Sequence, residues 1–155
     1  MRIYDRLRVL CGYIVLLVRR LKLTAIFILC NLFREGYELM TLESFLQKLK
    51  STPESIEFND TMGVIDSLYV FTPTSFKNGD LVNETGQNSG SCKLFSFARI
   101  HSLTQEETLS CFGSYYRDDV VKFPENSDHQ NIRNFMKTGW LGIKFDSEPL
   151  KAKSV

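Results

Sequence analysis

The segment Thr72–Lys93, T-P-T-S-F-K-N-G-D-L-V-N-E-T-G-Q-N-S-G-S-C-K, most constrains what this chain can fold into. Proline removes a backbone donor and drives the preceding residue out of the helical region, so no helix passes Thr72-Pro73. Beyond it, glycines let backbone approach backbone, and Asn and Gln both donate and accept hydrogen bonds. Such a segment builds either a tightly bonded loop or the lining of a polar cleft. A second piece of the same character, D-H-Q-N-I-R-N-F-M-K-T-G-W-L-G-I-K-F, runs from Asp128 to Phe145. Helices are thereby confined to the stretches before, between and within these pieces.

The helix signals agree. Thr41 can cap a helix whose Leu42, Phe45, Leu46 and Leu49 share one face and which stops before Pro53. Asn59 or Asp60 can cap a second, to about Val70, with Met62, Ile65, Leu68 and Tyr69 inward. Asn78-Gly79 between Phe76 and Leu81-Val82 is a type I′ hairpin signal. Ser91 can cap a segment carrying Leu94, Phe97, Ala98 and His101. Thr104 and Glu107 form a capping box opening a helix with Leu109, Phe112, Tyr116 and Val120, bounded by Pro124. Asp128 can cap a last helix with Ile132, Phe135 and Met136, and Gly139 supplies a left-handed stop. Trp140–Phe145 reads as a strand with Leu141, Ile143 and Phe145 on one side. The expected class is a mainly helical α+β single domain with about five helices and two or three short strands, followed by a flexible tail at 151–155.

Both amide-rich pieces, together with P-E-S-I-E-F-N-D-T at Pro53–Thr61 and C-F-G-S-Y-Y-R-D-D-V at Cys111–Val120, closely resemble the HopJ family of type III secretion effectors, which plant-pathogenic bacteria inject into host cells. The resemblance runs from about Thr41 to Leu150. It implies a virulence-related bacterial protein, resident in the cytoplasm of the producing bacterium and in the host cell if a type III system exports it. It implies no particular reaction.

The resemblance starts just after Met40, and the charge divides there too. Residues 1–39 hold seven Arg/Lys against three acids, and residues 40–155 hold twelve against fifteen. The apolar runs Val9–Val18 and Leu23–Phe33 are each short of the roughly 20 residues that span a bilayer, and Arg19, Arg20 and Lys22 separate them. No stable membrane insertion is expected. The preferred reading of 1–39 is translated leader ahead of an initiator at Met40, the other being a basic membrane-surface extension. A slightly acidic domain without a basic stripe is a poor match for phosphate backbones, so nucleic acid is not an expected partner.

Candidate chemistry is sparse. Gly86–Lys93 fails the phosphate-loop spacing, having three residues between glycines and a late Lys. Cys92, near a helix start, with His129 as base would make a thiol enzyme, the alternative to a binding protein; the simpler reading of Cys92 is a small core residue. Two His and two Cys without paired spacing after Met40 imply no metal site, and no cofactor is implied. The acidic pairs Glu106-Glu107 and Asp118-Asp119 read as solvated helix faces. The expected binding surface joins Asn83, Glu84, Gln87, Asn88 and Ser91 to His129, Asn131, Arg133 and Trp140, for a host or bacterial protein or a small polar ligand.

Overall fold

The computed structural model describes residues 40–154. The two readings of residues 1–39 lie outside them. Helix α1 (Leu42–Ser51) starts on Thr41, whose hydroxyl accepts from the Ser44 N–H, and a 3-10 turn at Pro53–Ser55 follows. Helix α2 (Phe58–Leu68) runs straight into β1 (Tyr69–Phe71). The hairpin β2 (Phe76–Asn78) and β3 (Leu81–Asn83) leads to α3 (Ser89–Ile100) and α4 (Gln105–Ser110). A π-helical turn at Tyr115–Val120, α5 (Gln130–Thr138), a 3-10 turn at Gly139–Gly142, β4 (Ile143–Phe145) and β5 (Leu150–Ala152) complete the order.

Helix α3 is the axis of the domain. Cys92, Leu94, Phe95, Ser96, Phe97 and Ala98 are all buried, so the helix is covered almost all round, as a central helix must be. Rings close on it from every side. Phe97 meets Phe45 of α1 edge-on at 5.9 Å, and Phe95 meets Phe112 and Phe135 at 5.5 and 4.8 Å. Full burial of each such ring contributes roughly 1.5–3 kcal/mol, which makes this aromatic layer the chief source of stability. Two small antiparallel sheets flank it, one pairing β1 with β5 and one ordered β3-β2-β4.

The mainly helical α+β class holds, with five short strands in place of two or three. The second helix begins earlier than its expected cap: Glu57 is the N-cap and Asp60 is the third helical residue, completing a capping box with it. The hairpin turn is Gly79-Asp80 and not Asn78-Gly79, because Asn78 pairs with Leu81 as the last strand residue. Gly79 alone there has positive φ, the pattern of a type II′ turn. Helix α3 is capped by Asn88 rather than Ser91, and α5 by His129 rather than Asp128. The helix opened by the Thr104–Glu107 box is cut short at Gly113, which has φ +61°. A Cβ there would fall 2.6 Å from the Phe58 backbone nitrogen, so glycine is what lets α2 come this close. Trp140 and Leu141 belong to the 3-10 turn and not to the strand, and Leu141 is 92% exposed. The expected free tail instead supplies β5, with Lys151 opposite Val70 and Ala152 opposite Tyr69. A strand of three residues whose partner lies some eighty residues away leaves no local signal.

Candidate functional site

Four asparagines from separate elements meet under one face of the domain. Asn78 and Asn83 end β2 and β3, Asn88 precedes α3 and Asn131 sits in the first turn of α5. Asn131 Nδ2 donates to Asn83 Oδ1 at 2.8 Å, and Asn131 Oδ1 accepts from Asn78 Nδ2 and Asn83 Nδ2, both at 3.2 Å. Asn88 Nδ2 donates to the same Asn83 Oδ1 at 2.7 Å. Asn78 Nδ2 also reaches the Asn131 carbonyl at 2.7 Å. Among the described residues Asn78 Oδ1 is the one buried side-chain atom of this group without a hydrogen-bond partner. Burying amides is costly unless they are bonded to one another. The network therefore fixes the hairpin against α5 in a single register.

That register brings two helix starts side by side. Asn88 (φ 47°, ψ 41°) and His129 (φ 48°, ψ 40°) are both left-handed N-caps, and neither side chain caps its own helix. A third irregularity stands next to them. The π-helical turn after Gly113 presents Tyr115 and holds Asp119 Oδ2 3.1 Å from His129 Nε2. Tyr115 also lies against the His129 ring, with centroids 5.2 Å apart and planes at 34°. Phe58 stacks on Phe112 at 6.3 Å and meets Tyr115 edge-on at 5.4 Å.

Between these groups opens a cavity of about 630 Å³, within the range of small-molecule sites. One wall is aromatic, from Phe58, Phe112 and Tyr115. Polar lining comes from Asn88, Ser91, His129, Gln130 and Asn131, and Leu81 and Ile132 add aliphatic surface. Among the described residues no Asp, Glu, Lys or Arg lines it. Gly90 is required by the same packing, since a Cβ there would sit 2.9 Å from the tip of the Phe58 ring.

The residues singled out from sequence fall into three groups. Asn88, Ser91, His129 and Asn131 share the cavity, with Asn83 buried beneath as the hub of the network. Glu84 and Gln87 are exposed and serve the loop itself, the Gln87 side chain accepting from the Glu84 N–H. Arg133 and Trp140 point elsewhere. The buried Arg133 guanidinium donates to the carbonyls of Phe123, Pro124 and Asp128 and to Asp128 Oδ1. Arg133 lines a separate cavity of about 340 Å³ with Val120, Pro124, Met136 and Lys137. Trp140 Nε1 donates to the Leu103 carbonyl, and its ring abuts Phe135. The aromatic wall and Asp119 escaped sequence reasoning. Phe58 and Phe112 look like core, and Asp119 looks like one half of a solvated acidic pair; the visible clue was Gly113 interrupting the run that carries Tyr115.

The two candidate thiol-enzyme residues have different partners. Cys92 is 1% exposed, lies within the core and donates weakly to the Thr74 carbonyl at 3.9 Å. Desolvation pushes its thiol pKa up, the opposite of what a nucleophile needs. His129 is engaged with Asp119. His101 is half-buried, its Nε2 2.8 Å from the Tyr69 hydroxyl, and burial lowers its pKa, which suits a neutral ring accepting that hydrogen bond. Among the described residues no group of His, Cys, Asp and Glu could hold a metal ion, and no helix is long and apolar enough to cross a membrane.

Fold and site together define a small helical α+β domain built around one aromatic core and one uncharged cleft. Residues 42–150 match the family described as HopJ type III effector protein. The chain belongs to the HopJ family. Its structure is similar to one described as the crystal structure of the unknown-function protein VPA0580, with 54% sequence identity, a TM-score of 0.71, and coverage of 72% of this chain and 93% of that one. No curated protein matches the chain significantly.

Proposed function

We propose that this HopJ-family protein acts by binding, and that the cleft between Tyr115, Asn88 and His129 is its binding surface. One observation carries the reading. Three departures from regular backbone, at Asn88, at His129 and in the π-helical turn, converge on a single cavity. Strained non-glycine residues persist only where surroundings hold them, and they cluster at functional sites, as do π-helical turns. Two of the three non-glycine residues with positive φ among the described residues line this cavity. The family description supports an effector-like role, in which the partner would be met inside a host cell. The buried Cys92 gives the thiol-enzyme alternative no support.

The test fills the cleft. Ser91 is only partly buried and makes no side-chain hydrogen bond among the described residues, so Ser91→Trp should fold while obstructing the cavity. Wild-type protein is expected to gain thermal stability in an extract of producing or host cells, and Ser91→Trp is expected to lose that gain. A stabilising partner that acts equally on both proteins would contradict the proposal.

A further inference from the structure

Resting on the cleft reading above, we infer that the cleft takes an uncharged, flat, nitrogen-containing ring with acceptor atoms at its edge, of the kind presented by a purine or pyrimidine base. A ligand of formal charge would leave water for a cavity that no Asp, Glu, Lys or Arg lines among the described residues, so no lining side chain of opposite charge offsets its desolvation. His129 lines the cavity, and its Nε2 already faces the Asp119 carboxylate at 3.1 Å. That carboxylate also opposes an anion placed nearby.

Tyr115 is 42% exposed, with its ring against those of His129 and Phe58, and together with Phe58 and Phe112 it gives the cavity its aromatic lining. A flat ring gains most from such a wall because stacking uses its whole face. Asn88, Ser91, His129 and Gln130 line the cavity too, and although Asn88 Nδ2 already donates to Asn83 Oδ1 and Gln130 Nε2 to the Ser127 carbonyl, each amide keeps a second N–H and an oxygen. The backbone N–H groups that open α3 and α5 add donors, which favours carbonyl oxygens and ring nitrogens in the ligand without requiring a full negative charge. An aliphatic ligand would leave the free N–H groups at the two helix starts unpaired, and a phosphate would leave the aromatic lining unused.

The experiment uses the full chain labelled for NMR, with adenosine, uridine, inorganic phosphate and adenosine 5′-monophosphate as probes. Adenosine or uridine is expected to shift the amide signals of Gly90, Ser91, Gln130 and Asn131. Tyr115→Ala is expected to weaken that binding by at least about tenfold, the size of one lost ring stack, while Lys137→Ala at the other cavity leaves it unchanged. Because Tyr115 is half exposed, its truncation should leave the rest of the spectrum intact. Shifts of these amides by phosphate alone, or by the monophosphate at least about tenfold more tightly than by adenosine, would overturn the ring assignment while leaving the cleft as a binding site. Nucleoside binding indifferent to Tyr115→Ala would overturn it too. If no probe moves these amides, the ring assignment fails, and the cleft reading stands or falls separately on the Ser91→Trp comparison.

Discussion

Two parts of this domain solve the problem of an interior in opposite ways. Around α3, rings from α1, α3, α5 and the turn after α4 meet in edge-on and tilted contacts that need volume to be filled but no particular atom to be matched. Under the cleft, Asn83 holds Asn88 and Asn131 through one oxygen, and each substitution there removes a specific donor or acceptor. The first arrangement supplies stability. The second supplies geometry, setting the two left-handed N-caps at the width of the cavity between them. A fold that depended on the aromatic layer alone would tolerate a loose hairpin; this one cannot, because Asn83 at the hairpin's end holds Asn88 and Asn131, which line the cleft.

The largest effect should come from the core. Phe95 is fully buried and touches Phe76, Phe112 and Phe135, so Phe95→Ala is expected to cost about 3–5 kcal/mol in chemical denaturation. A loss under about 1 kcal/mol would show that the aromatic layer is not the main support.

Shape-preserving changes sharpen the contrast. Leu49→Met in the core should cost less than about 1.5 kcal/mol. Asn83→Asp, of nearly identical shape, removes the donor to Asn131 and buries a charge, and should cost at least about 2 kcal/mol. Equal costs would mean that the amide network is packing and nothing more.

A smaller effect concerns the thiols. Burial raises Cys111 from its ordinary 9.0 to about 12 and raises Cys92 as well. A group with a raised folded pKa contributes stability that is fully present below its unfolded value and is lost as pH rises toward the folded one. Stability should therefore decline as pH climbs from about 9 toward 12, and a Cys111→Ala variant should show a shallower decline. Iodoacetamide should modify neither thiol at neutral pH faster than the protein opens. Rapid alkylation of folded Cys92, abolished by His129→Ala, would reinstate the thiol enzyme.

The smallest expected effect is that of removing residues 1–39. The described residues after Met40 hold a buried cluster that runs from Phe45 to Leu150, so residues 40–155 should unfold cooperatively with a stability within about 0.5 kcal/mol of the full chain. Loss of the cooperative transition on truncation would contradict this.

Legibility follows the same division. Thr41 and the Thr104–Glu107 box were readable because a cap is a contract between residues three apart. The aromatic face of α3 was partly readable from its period, although Phe95 and Cys92 show a helix buried on more than the one stripe that Leu94, Phe97 and Ala98 define. The left-handed caps at Asn88 and His129 were not readable. Their conformation is imposed by the Asn83–Asn131 contact, which joins residues 48 apart. The cleft was half legible for the same reason: composition identified its amide wall, whereas Phe58 and Tyr115 come to it only through the close approach of α2 at Gly113.

The most direct test of the central claim is hydrogen exchange of the full chain in cell extract against buffer. The account predicts slower exchange at 88–91 and 129–132, the two helix starts beside the cleft, with exchange around the cavity of Val120, Pro124 and Lys137 unchanged. Protection confined to that second cavity, or spread elsewhere with the helix starts unaffected, would contradict it.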